Sequence, residues 1–302
     1  MISFRYHIVT IAAVFLALAI GLLGGGAFLQ PALQKELENR TEDLRRDLDA
    51  RLEQIDDLRL EVAGLGAFSE AARPYLAEGL LLEVPVVVVT QVGVADEVRT
   101  EAIDALSAAG ARVLTTVSAS ALLLSEEPAV REQLAEIVGE PAAAAEDLPG
   151  LAAAELAARL VAQTPPSPED DVLTQLLSGG FLAPVGAPPG AATLEEIGAP
   201  GQVVLVLSGG EAEDPALPPE AFAVPLVEAL AELGSPVAAG ESLLATVPFV
   251  PLVSGEGVVT VDDLDQAMGG AALVLGLDRL LATGEGGDFG AKDGAEPLPP
   301  PP

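Results

Sequence analysis

The densest group of side chains able to do chemistry is Asp262, Asp263 and Asp265, within the run Thr260–Asp265 (TVDDLD). Clustered carboxylates can hold a hard cation such as Ca2+ or Mg2+. The same residues precede a helical pattern, where acids act as N-caps and favour the positive end of the helix dipole. The cap is the favoured reading, since no further oxygen ligands recur at fixed spacing. Two other stretches follow apolar runs. In Ser208-Gly209-Gly210-Glu211 the glycine pair lets a backbone approach a ligand, or simply makes a turn. Thr90-Gln91-Val92-Gly93 lacks the GxGxxG pattern, which argues against dinucleotide binding.

What is missing narrows the chemistry further. The chain has no cysteine, and its one histidine is His7. Disulfides, thiolate metal sites, cysteine nucleophiles and histidine-based catalysis beyond residue 7 are thereby excluded. No nucleophile and base can be paired, so neither an enzyme nor a cofactor is expected. The formal charge of −32 sets the protein against nucleic acid. The acidity also serves plain solubility or salt tolerance.

Strands and helices must position these loops. Val84-Pro85-Val86-Val87-Val88-Val89-Thr90 is a continuous β-branched run, the mark of a strand covered on both faces. The spacing predicts a helix over 96–109, a strand over 112–117, helices over 128–138, 148–162 and 169–177, and a strand over 203–207. A helix over 219–233, strands over 236–239 and 258–261, and a helix over 265–282 complete the pattern. Residues 179–201, crowded with Pro and Gly, read as a loop or small insertion. The expected fold is α/β, a doubly wound and mostly parallel sheet, with ligands placed beyond the carboxyl ends of its strands.

The first third of the chain is of another kind. From Ile8 to Phe28 there is no charge, and a bilayer core about 30 Å thick needs roughly 20 such residues in a helix. Arg5, Tyr6 and His7 suit the membrane interface. Ala13, Ala17, Gly21 and Gly25 fall four apart, a ladder that lets two membrane helices pack closely or that arises by chance in an Ala/Gly-rich helix. Length favours an uncleaved anchor, although Gly25-Gly26-Ala27 resembles a cleavage site.

Past Pro31, a place for a kink or restart, a heptad pattern begins. Leu37, Leu44, Arg51, Leu58 and Leu65 occupy d; Gln34, Thr41, Leu48, Ile55 and Val62 occupy a, and most of these positions are apolar. This is a coiled-coil pattern, or else one amphipathic helix packed on its own domain. In a parallel homodimer Arg40 would face Arg45 of the partner, and Arg51 would meet its twin. With Arg46 these residues form a basic zone in an acidic chain, better suited to an acidic helical partner than to self-pairing. Gly64 and Gly66 are expected to end the rod. The resulting organisation is anchor 1–29, stalk 30–66, linker 67–83, α/β domain 84–283 and a disordered Gly/Pro-rich tail 284–302.

The opening MISFRYHIVTIAAVFLALAIGLLGGG resembles the start of the actinobacterial family that includes the copper transport protein MctB and the cell-separation protein SteB. The resemblance continues through the βα domain, TVDDLD, a GDFG stretch (Gly287–Gly290) and a Pro-rich end. It implies copper homeostasis or cell separation, with the coiled coil engaging an envelope partner, and an N-terminus in the cytoplasm with the bulk outside. An outer-membrane or envelope location after signal cleavage is the alternative. The residues themselves give little to copper: Cu(I) prefers thiolate and thioether, Cu(II) imidazole, and beyond His7 the chain offers one thioether, Met268. The strands are too short and uniformly apolar for a barrel pore. Alternatives to the interaction protein are a transport component acting as an oligomer and a small-ligand-binding domain.

Overall fold

The computed structural model describes residues 4–141, 147–164, 166–167, 169–186, 196–210, 212, 215–255, 257–296 and 298. It divides into two units, Met1–Leu65 and Gly66–Pro302.

Helix α1 is assigned continuously over Phe4–Ala77. It passes Pro31, Gly64, Gly66 and Pro74, so neither the break at Pro31 nor the rod's end at Gly64–Gly66 is observed. The expected linker is helical as far as Ala77. Each Gly costs about 1 kcal/mol and each Pro about 3 kcal/mol. The Leu-, Glu-, Arg- and Ala-rich flanks continue the helix across these single positions. The described stretch Tyr6–Leu23 is long and apolar enough to cross a membrane.

The second unit carries a seven-stranded sheet in the order β3-β2-β1-β4-β5-β6-β7. The strands are β1 Pro85–Gln91, β2 Arg112–Ala119, β3 Leu182–Pro184, β4 Val203–Leu207, β5 Val237–Gly240, β6 Val258–Val261 and β7 Gly287–Phe289. Every pairing is parallel except that of β2 with β3. This is the expected doubly wound α/β sheet, with its switch point between β1 and β4. The helices are α2 Asp96–Ala108, α3 Pro128–Val138, α4 Leu148–Val161, α5 Val172–Ser178, α6 Ala223–Glu232, α7 Val250–Val253 and α8 Ala267–Thr283.

The valine run of β1 explains the layering. Val87 and Val89 face a core with Leu134, Leu156, Leu226, Phe181 and Phe222, drawn from α3 to α6 and nearby loops. Val86 and Val88 face another with Leu106, Leu205, Leu273, Leu277 and Phe289, beneath α2 and α8. With both faces covered, no position in the strand can be polar until its carboxyl end. Each such side chain contributes about 1.5–3 kcal/mol by leaving water.

Two stretches depart from the sequence reading. Part of the 179–201 segment is strand β3, which sits antiparallel at the sheet edge; residues 187–195 lie outside the described part. In the tail expected to be disordered, Gly287–Phe289 forms β7 and pairs with β6. Residues 297 and 299–302 lie outside the described part.

A buried ion pair ties the amino-end loops. Arg159 Nε donates to Asp171 at 2.7 Å, and its Nη1 donates to the Ile197 carbonyl. Gln202 joins the same knot, donating to the Leu160 carbonyl and accepting from the Gly198 amide.

Candidate functional site

Two regions carry the candidate residues, each within its own unit. On α1 the heptad residues Leu37, Leu44, Leu48, Ile55, Leu58, Val62 and Leu65 are exposed, from 43 % for Ile55 to 70 % for Leu44. Arg51 lies exposed among them, as do Arg40, Arg45 and Arg46. Two of these arginines already have acids on their own helix: Arg40 meets Glu36 at 2.9 Å and Arg46 meets Asp43 at 3.0 Å. These pairs offset the charges of Arg40 and Arg46, and Arg45 and Arg51 are not part of them. Tyr6, His7, Ala13, Ala17 and Gly21 are exposed on the apolar stretch. The side-chain surroundings of Arg5 and Gly25 lie outside the described part.

The second region is the carboxyl end of the sheet. At the switch point, the Ser208 hydroxyl donates to Gln91 Oε1, joining the ends of β4 and β1. Both residues are buried, so the crevice is filled by its own side chains. Gly209 has φ +82°, and a Cβ there would lie 2.9 Å from Glu241 Oε2. Gly210 O accepts from the amides of Thr246 and Val247 and from the Thr246 hydroxyl. Gly209 therefore lets the chain turn tightly against Glu241. Glu211 lies outside the described part.

The acidic run does not cap α8. The N-cap of α8 is Gln266, with no side-chain cap hydrogen bond. Asp262 instead accepts from the amides of Ala291 (2.8 Å) and Lys292 (3.2 Å), and Asp265 accepts from the Leu243 amide at 2.7 Å. These carboxylates bridge loops from three strand ends, which no local spacing rule encodes. Asp263 is buried between them, and its Oδ1 has no hydrogen-bond partner among the described residues. Burial first, then the neighbouring charges of Asp262 and Asp265, push its carboxyl from the ordinary 3.8 up to about 6; Lys292 opposes the shift.

Sequence reasoning missed Glu241 and Lys292. Glu241 is fully buried just past β5, accepting from the amides of Phe249 and Val250 through Oε2. Its Oε1 accepts from Lys292 Nζ at 2.7 Å, and the same ammonium donates to the Ser242 carbonyl. The available signal was that Lys292 is one of only two lysines, isolated in an acidic chain. Among the described residues, no group of three or more His, Cys, Asp or Glu is placed to hold a metal ion.

A family model described as "Copper transport outer membrane protein, MctB" matches residues 1–300. The chain belongs to the MctB family. Proteins described as "Copper transporter MctB" from Mycobacterium tuberculosis (strain H37Rv) and Mycobacterium bovis are each 26 % identical to it over 315 residues, covering 98 % of both chains. The MctB match thus includes the apolar N-terminal stretch, the heptad region and the sheet domain together.

Proposed function

We propose that this chain acts in copper homeostasis of the cell envelope as a membrane-anchored interaction protein. Its stalk seam binds an envelope partner, and copper is handled by the resulting assembly. The observation that carries this reading is the row of apolar a and d residues exposed along α1. Such a stripe at heptad spacing is a surface for another helix. Arg45 and Arg51 favour an acidic partner over a second copy, and a role in cell separation follows the same route. The ligand chemistry agrees, because the α/β domain offers carboxylates already engaged with backbone amides and Lys292, with no imidazole or thiolate. The family description favours a second reading, in which an oligomer of this chain forms part of a copper transport route. We place the N-terminus in the cytoplasm and the sheet domain outside.

The test is capture of partners from the native envelope by the full chain and two double variants. Leu48→Ala with Ile55→Ala should weaken binding by about 2–5 kcal/mol per site if the seam is well buried in the complex. Arg45→Glu with Arg46→Glu should repel an acidic partner. If the arginine variant binds normally while substitutions at Ser208 or Asp262 abolish capture, the function lies in the sheet domain and the seam reading is wrong.

A further inference from the structure

The chain beyond β7 is held in an unusual way. Residues 290–296 (GAKDGAE) contain no large apolar side chain, so burial of apolar surface contributes little to their docking. What holds them is polar. Asp262 accepts from two consecutive backbone amides, and Lys292 Nζ reaches the fully buried Glu241. Gly290 makes the entry possible: at φ +133°, a Cβ would sit 2.0 Å from Asp262 Oδ1. The segment then folds back, with Gly290 N donating to Glu296 O and Glu296 N to Asp288 O.

Beneath it lies a cleft of about 170 Å3, with Glu241, Pro251 and Ser254 on the domain side and Lys292 and Ala295 on the other. Lys292 is the one cation lining this cleft among the described residues, against Glu241, Asp262, Asp288 and Asp293.

We propose that residues 290–296 are a releasable strap over the carboxyl ends of β5 and β6, with the Lys292–Glu241 pair as its bolt. Segments held by few apolar contacts and many polar ones open locally at low cost, while the core stays folded. Loss of the bolt leaves Glu241 buried without its counter-charge, so opening must be accompanied by solvent entry to the cleft. Release therefore uncovers Glu241 and Asp262 together.

Hydrogen exchange on the full chain in detergent tests this, with protection factors corrected for intrinsic rates. At pH 7.5, Lys292→Met is expected to lower protection of the 290–292 amides at least tenfold while amides of β1 and β4 are unchanged. The proposal is overturned if strap amides share the protection of β6 and Lys292→Met lowers both equally, or if Lys292→Met leaves strap protection unchanged.

Discussion

Replacing Asp263 by Asn should stabilise the protein at neutral pH and leave it unchanged in acid. The carboxyl is raised from 3.8 to about 6, so the folded state holds its proton more tightly than the unfolded chain does. For an acid, that sign means stability falls as pH rises: the loss starts near pH 4, where the unfolded chain ionises, and is complete above about pH 6. One pKa unit corresponds to about 1.4 kcal/mol, which sets a ceiling of about 3 kcal/mol at pH 8. Solvent reaching the strand-end loops screens part of this, leaving about 1–2 kcal/mol. Asn keeps the size of Asp and removes the ionisation next to Asp262 and Asp265. Calorimetry of the full chain in detergent at pH 4 and pH 8 reads the difference. At about 2–4 °C per kcal/mol for a domain of this size, the variant should melt roughly 2–8 °C higher at pH 8, with no gain at pH 4. A variant that melts lower at pH 8, or gains more at pH 4, would refute the reasoning.

Arg159→Ala leaves Asp171 buried without its partner and should cost about 3–5 kcal/mol, read as a lower melting temperature; replacing both residues by apolar ones should recover much of it. Titration of the purified chain with Cu(I) against a competing chelator should give no stoichiometric complex of submicromolar affinity, and one that forms would revive direct copper transport by this chain. N-terminal sequencing of protein recovered from the envelope should find the apolar stretch retained; a start near Phe28 would mean that it is a cleaved signal.

The parts of the fold legible in the sequence were those written in periodicity. The valine run of β1 announced a strand buried on both faces, and the spacing of Leu37 to Leu65 announced a helix. The end of α1 was not legible, since Gly64 and Gly66 carry a stop signal only when the flanking turns fail to hold, and here they hold. The tail was misjudged for a different reason. Composition measures what can be buried, and residues 290–296 bury almost nothing apolar. Their order comes from Asp262 and Glu241, far away in sequence, which supply acceptors to particular amides and to Lys292. The acidic run was likewise read from its neighbour α8, whereas its carboxylates answer to loops across the sheet.

The two margins of the sheet bear on how copies of this protein can live together in a crowded plane. A strand at a margin normally offers a row of unpaired amides and carbonyls, a template for adding another chain. Here one margin is β3, only three residues long and ending in Pro184, which has no amide to give. The other is β7, where Glu296 takes up two of the outward groups, the Asp288 carbonyl and the Gly290 amide. Both margins are thus blunted. For neighbouring copies held at high local density, such margins disfavour addition strand by strand.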